Sequence, residues 1–140
     1  MDNKGNKVVS GSNLTTWLNS EILDDIKKME YKVTGEFEDV TFLDDPRTYK
    51  KYVGYNGEGT LTFNKTQSRG AKLLAEAYTT GVMPEIKIVT KAFNPSTGRS
   101  ERCVLTGVTF TEFGGSYEAK ALVEEELPFS FAKFEFVEYM

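Results

Sequence analysis

Histidine is absent from all 140 residues. Serine–histidine and cysteine–histidine nucleophilic catalysis are therefore excluded, and so are histidine metal sites. There is a single cysteine, Cys103, so no disulfide can form within the chain. Its place inside an alternating strand pattern reads as a small buried apolar residue. The first residues, Met1 to Lys7, hold no apolar stretch of the kind that opens a secretory signal. No apolar run reaches the length of a membrane-spanning helix. These absences lead to the expectation of a soluble protein made in the cytoplasm. The phosphate-binding pattern G-x-x-x-x-G-K-[ST] does not occur, nor does calcium-loop spacing. The chain shows no internal repeat, no low-complexity segment and no linker.

What is present is aromatic. There are ten phenylalanines, seven tyrosines and one tryptophan within an apolar content of 39%. Such residues favour strands and interfaces. The length suits one domain with its own core. Seventeen basic residues against 21 acidic ones give a net charge of −4. That balance argues against a dedicated nucleic-acid surface, which is normally basic.

The organising stretch runs from Tyr55 to Phe110. Over residues 58–65, Leu61 and Phe63 alternate with Thr60, Thr62 and Asn64, the two-residue period of a half-buried strand. Ser68 stands where an N-cap would, and residues 71–78 are good helix formers. Gly81 and Pro84 end that helix. Residues 85–93 read as a strand, residues 94–98 as a turn and residues 102–110 as a further strand. Before this stretch, residues 1–13 are polar and read as a flexible N-terminal arm. Residues 14–29 fit both a helix and a β-hairpin. Residues 31–42 read as a long strand whose apolar phase slips near Glu38 and Asp39, as at a β-bulge. Residues 43–56 lack periodicity and read as a long loop or an extended hairpin. After Phe110, a Gly114-Gly115 turn leads to an alternating strand at 117–123. Leu127, Phe129 and Phe131 then share one face, and Pro128 suits an edge or a bulge.

No constellation for catalysis, cofactor or metal emerges. Gly54, Gly57 and Gly59 resemble a dinucleotide fingerprint only loosely, because they precede a strand instead of joining strand to helix. The carboxylates Glu36, Glu38, Asp39, Asp44, Asp45, Glu124, Glu125 and Glu126 have no fixed pairing, so they read as a solvated acidic face. Asp44, Asp45, Arg47, Tyr49, Lys50, Lys51 and Tyr52 form a mixed aromatic and charged cluster suited to contact between subunits.

Gly-Tyr-Asn-Gly-Glu-Gly-Thr-Leu-Thr-Phe at residues 54–63 resembles the G-x-N-G-x-G-T-x-T-F strand of phage tail tube proteins of the PBSX type. The resemblance continues through Lys65, Ser68, the helix, Gly81 and Pro84. It then takes in Ser96, Thr97 and Gly98, followed by Glu101, Arg102, Val104, Leu105 and Val108. It ends in Glu-Glu-Glu-Leu-Pro-Phe-Ser-Phe at 124–131, and Ser10 and Gly11 match the family's opening. Asn19-Ser20 departs from the Asp-Gly turn frequent in relatives.

The resemblance implies a mainly β fold with one helix, a β-sandwich or partly closed barrel in a single tail tube domain over residues 1–140. It makes residues 14–29 a β-hairpin. It implies hexameric rings with a continuous inner β-barrel, stacked into the tube of a contractile tail, of a phage or an R-type bacteriocin. Such a tube is a non-enzymatic conduit for DNA or ions, and DNA passes through without specific binding. Partners would be the sheath, tape-measure, baseplate and tail-terminator proteins, with no membrane binding by the subunit. The particle would be a virion tail or a released bacteriocin. Glu36, Glu38, Glu124, Glu125 and Glu126 are the candidates for an acidic lumen, and the 44–52 cluster for contacts between subunits or rings. The competing readings are the hexameric tube of a type VI secretion system, a small β-barrel with an apolar ligand inside, and an enzyme that uses its carboxylates.

Overall fold

The structure is a computed structural model and describes residues 4–140. Two antiparallel sheets face each other across one core. The first has five strands in the order β2-β1-β5-β6-β9: β1 Leu14–Leu18, β2 Glu21–Ile22, β5 Ile88–Asn94, β6 Arg99–Thr106 and β9 Lys133–Glu138. The second has four in the order β3-β4-β8-β7: β3 Ile26–Phe42, β4 Asp45–Asn64, β7 Thr109–Phe110 and β8 Glu124–Phe131. One α-helix, α1 Arg69–Thr80, follows β4. The mainly β architecture, with a single α-helix among the described residues, matches the sequence reading, and the sheets form an open sandwich instead of closing into a barrel. Residues 4–7 and 11–13 form short 3-10 turns; the first three residues of the N-terminal arm lie outside the described range.

Alternation builds the core. Leu61 and Phe63 on β4, Leu127, Phe129 and Phe131 on β8, Ile88 on β5 and Cys103 and Leu105 on β6 all point inward. Each large side chain so buried contributes roughly 1.5–3 kcal/mol. Phe63, Phe110, Phe129 and Phe131 fill the space between the sheets. Burial raises the Cys103 thiol's pKa and keeps it protonated. Helix α1 buries Leu74 and Ala77 and ends at Gly81 in the left-handed region, whose N–H donates to Ala77 O.

Several segments depart from the sequence reading. The hairpin expected over residues 14–29 is present but shorter: residues 14–22 form it, with Asn19 (φ 49) and Ser20 (φ 73) both left-handed as a type I′ turn requires, and residues 26–29 already belong to β3. The expected strand at 102–110 breaks at Gly107, whose φ of 64 turns the chain from one sheet to the other. Residues 85–87 stay irregular and β5 begins at Ile88. Residues 117–123 form no strand, despite their alternation. Lys120 is left-handed (φ 64) inside a turn closed by Ala121 N–H to Glu118 O, and the segment meets β4's continuation only at its end, where Val123 O accepts from Lys65 N–H. The bulge lies between Glu36 and Phe37, with Val53 as the extra residue on β4, rather than at Glu38-Asp39. Pro128 accepts at its carbonyl from Thr111 N–H, so its missing N–H faces the side that β7 barely covers.

The glycines of the 54–59 stretch lie within a strand, which removes the dinucleotide reading. Gly59 is required by close approach: a β-carbon there would stand 2.4 Å from Glu30 O and 2.5 Å from Phe129 Cζ. Gly59→Ala is expected to destabilise the domain by about 1–3 kcal/mol, the usual effect of overpacking. Gly54→Ala meets nothing closer than the Glu36 carboxylate at 3.6 Å and should stay within about 0.5 kcal/mol of the parent. Urea unfolding midpoints of the two variants check this; equal midpoints would contradict it.

Candidate functional site: a projecting arm and an acidic sheet face

Strands β3 and β4 are 17 and 20 residues long and pair along almost their whole length, from Ile26 opposite Phe63 to Phe42 opposite Asp45. β8 pairs with β4 only over residues 57–64. Residues 33–56 therefore project as a two-stranded arm, about 30 Å long at 3.3 Å per residue. Its base is anchored where Tyr55 Oη donates to Ala132 O at 2.7 Å and the Tyr55 ring meets Phe134 edge-on at 5.2 Å. A bare hairpin of this kind is marginal in water.

The register decides which residues share a face. Met29 and Leu61 face the core, and that same side of the hairpin continues outward as Val33, Tyr55, Phe37 and Tyr52. Phe37 and Tyr52 lie opposite each other with ring centroids 5.7 Å apart, and they remain 57% and 53% exposed. At the tip, Phe42 and Tyr49 meet edge-on at 5.8 Å, and Leu43 is 102% exposed. Asp45 Oδ1 accepts from Arg47 N–H (2.9 Å) and Nε (3.0 Å), and its Oδ2 accepts from Tyr49 Oη at 2.5 Å. These donors, Tyr49 first, hold the Asp45 carboxyl below its ordinary pKa, and the same bond raises that of the Tyr49 phenol. Lys50 pairs with Asp39 across the hairpin, Lys51 lies opposite Glu38, and Asp44 sits in the turn. The whole candidate contact set, Asp44, Asp45, Arg47, Tyr49, Lys50, Lys51 and Tyr52, thus gathers on the outer half of the arm.

The other side of the second sheet carries the acidic residues. Pairing places Glu30, Glu36, Glu38, Glu58, Glu124 and Glu126 on one solvent-facing surface, together with Lys27, Lys28, Lys32 and Lys51. Six carboxylates against four lysines leave two negative charges in excess. Lys27–Glu124, Lys28–Glu30 (3.5 Å) and Lys32–Glu58 (3.2 Å) are paired, whereas Glu36, Glu38 and Glu126 form no ion pair among the described residues. Glu125 does not belong to this surface. It alternates to the interior, 6% exposed, and its carboxylate accepts from Gly70 N–H at 3.0 Å and pairs with Lys65 at 3.2 Å. Glu125 and the Tyr117 hydroxyl together raise the Lys65 pKa. Ser68 makes no side-chain capping bond, so Glu125 supplies the acceptor that the helix N-terminus needs.

Sequence reasoning missed the companion pair. Arg69, at the first helical position, meets Asp25 at 2.9 Å, with both side chains more than nine-tenths buried. Thr66 Oγ1 also donates to Asp25, and the guanidinium lies over the Phe63 ring at 5.1 Å. A cation at a helix N-terminus opposes the helix dipole, and that mismatch was the available signal for an acidic partner. Asp25→Ala leaves Arg69 with only Glu21 at 3.8 Å. The expected loss is about 3–5 kcal/mol, as for a broken buried pair. Denaturant unfolding measures it, and a loss under 1 kcal/mol would refute the pair's importance.

No group of three or more metal-binding side chains occurs among the described residues. The second sheet has the 17-residue β3 at one edge, its outer side without a neighbouring strand among the described residues, and a strand of only two residues at the other, β7. An open sheet, a projecting aromatic arm and a one-sided acidic surface define a structural protein that extends by association with other chains.

Comparison with known proteins supplies the family. The model of the family described as "Phage tail tube protein" matches residues 2–138. Two Bacillus subtilis (strain 168) proteins are each 30% identical to the chain. The protein YqbM aligns over 98% of this chain and 95% of its own length, and the phage-like element PBSX protein XkdM over 94% and 92%. A chain of the PVC sheath–tube complex, an extracellular contractile injection system in the extended state, has the same fold. Its TM-score is 0.76 at 7% identity, covering 94% of this chain and 93% of that one. The chain belongs to the phage tail tube protein family.

Proposed function

We propose that the whole chain, residues 1–140 as one domain with residues 1–13 as an N-terminal arm, forms hexameric rings. These rings stack into the inner tube of a contractile phage tail or R-type bacteriocin, a conduit for DNA or ions. The observation that carries this reading is the β3–β4 arm, an exposed aromatic hairpin too long for the domain that bears it. Ring closure joins the free β3 edge of one copy to the β8–β7 edge of the next, which removes the open edges within a ring. The outer half of the arm, with the 44–52 cluster, reaches the adjacent ring, a contact that repeats along the axis without closing. Sheath, tape-measure, baseplate and terminator proteins are the remaining partners, and the virion tail or released particle is the destination.

The acidic side of the second sheet faces the lumen through Glu36, Glu38, Glu124 and Glu126. A wall of like charge lets a polyanion slide without sticking. Glu36→Lys with Glu38→Lys is expected to leave tubes that assemble but retard DNA, because cationic walls hold phosphates. Normal ejection from mutant tails would place these residues elsewhere. The reading as a whole is tested by electron microscopy of the purified protein at high concentration. Six-fold rings and hollow tubes are expected, and a monomer at every concentration, with and without tail extract as a nucleus, overturns it.

A further inference from the structure

The second sheet holds the arm, the open edges and the acidic surface. The first sheet lies on the opposite side of the core, so if the second sheet lines a channel, the outer face of the first is the outside of the tube. That outer face is not an ordinary polar surface. The register aligns Ile22, Trp17, Val89, Val104 and Glu135 in one row that crosses all five strands. Four inter-strand spacings make the row about 19 Å long. Its first four members are apolar, and Ile22 is 55% exposed.

Trp17 and Val89 floor a hollow of about 290 Å³ with Ser20, Lys87 and Arg102 around it. Lys91, opposite Arg102 in the neighbouring strand, adds a third cation beside the row. The Arg102 guanidinium lies over Trp17 at 5.7 Å. Its Nε pairs with Glu138 Oε1 at 3.9 Å, too long for a hydrogen bond, so this buried atom has no hydrogen-bond partner. A buried donor of this kind is costly to leave unsatisfied. Tryptophan and arginine are also the residue types that anchor protein interfaces.

The geometry points to a docking surface for an acidic amphipathic segment of a second protein, the one that encloses the tube. Its apolar side chains lie along Trp17, Val89 and Val104, and its carboxylates reach Lys87, Lys91 and Arg102. Glu135 in the row and Glu138 beside Arg102 offset two of the three cations, and the remaining excess of one positive charge selects an acidic segment over a basic one. The location selects an enclosing chain over another tube subunit. This inference rests on the tube reading for the orientation of the sheet.

The test is charge reversal in the intact particle. Lys87→Glu with Lys91→Glu is made in the producing cell, and tubes and enclosed tails are counted by electron microscopy. Arg102→Gln is made separately, and the melting temperature of each purified variant is compared with the parent. The expected result is tubes of unchanged ring structure with the enclosed fraction down about tenfold, a loss of ~1.4 kcal/mol per contact site. Enclosed tails at the parental level would overturn the inference. Loss of the tubes themselves from variants with parental melting temperatures would overturn it too, since the face would then be a contact between copies of this chain. Parental particles whose tubes carry no enclosing protein would remove the partner and refute it as well. Failure of the parental chain to make tubes would count against the tube reading instead.

Discussion

The double variant Phe129→Ala, Phe131→Ala is expected to unfold. Both rings sit in the middle of the core, 2% and 5% exposed, on a strand between β4 and β7. Phe129 meets Phe110 at 5.8 Å and Phe131 meets Tyr31 at 6.5 Å. Each ring also covers a glycine of β4, Phe129 over Gly59 and Phe131 over Gly57, so no side chain there can close the hole. A buried phenylalanine truncated to alanine costs about 3–5 kcal/mol. The rings touch each other at 6.2 Å, so the two losses do not simply add. Even so, the combined cost is comparable to the whole stability of a domain, about 5–15 kcal/mol. Thermal unfolding followed by circular dichroism should show no cooperative transition at the parental temperature. A double variant that keeps its melting temperature and still polymerises would show that β8 is not the centre of the core.

Excising the arm is expected to have the opposite outcome, a stable subunit that cannot polymerise. Glu36 and Gly54 are opposite each other, so residues 37–53 can be replaced by Asn-Gly, the preferred two-residue hairpin turn. The excised segment contains Phe37, Phe42, Leu43, Tyr49, Tyr52 and Val53, all exposed, and leaves Tyr55 and its bond to Ala132 in place. Stability therefore changes little, while the surface offered to the next ring is lost. Removal of several exposed aromatic anchors should raise the concentration needed for tube growth at least a hundredfold, equivalent to two contacts of about 1.4 kcal/mol. Sedimentation of the variant against the parent measures this. Tubes at the parental concentration would remove the arm from the assembly contact. If the shortened hairpin fails to fold, Phe42→Asp with Leu43→Asp probes the same tip without changing the register.

These two outcomes separate residues that look alike in sequence. Phe129, Phe131, Phe37 and Tyr52 all alternate with polar neighbours, and alternation alone gives each an apolar face. The first pair lies where another sheet covers that face; the second lies beyond the last strand of the body. In the sequence, residues 43–56 showed no periodicity because both sides of the arm are exposed, so neither side is selected to be apolar throughout. Residues 117–123 alternated without becoming a strand, since a strand needs a neighbour along its length to take its hydrogen bonds; here a turn at 118–121 intervenes and only Val123 reaches the chain after β4.

The glutamates at 124–126 divide along the same line. Strand alternation dictates that Glu125 faces away from Glu124 and Glu126, and that much could be read from the chain. That its side is the buried one depends on α1 arriving over β8 with Gly70 N–H donating to it. The Asp25–Arg69 pair brings together residues 44 apart in the chain, and no local pattern links them.

By itself the sequence determined the mainly β class, the single helix and its glycine stop, the inward set on β8, and the resemblance of residues 54–63 and 124–131 to tail tube proteins. Each of these is a local property, carried by periodicity, by capping or by residues close together in the chain. The tertiary structure alone decided how far β3 and β4 outrun the body, where Gly107 sends the chain from one sheet to the other, and which of the three glutamates is buried. It also decided that Ile22, Trp17, Val89 and Val104 stand in one row. Those outcomes depend on register between strands distant in sequence, and register is set by the packing of the whole domain.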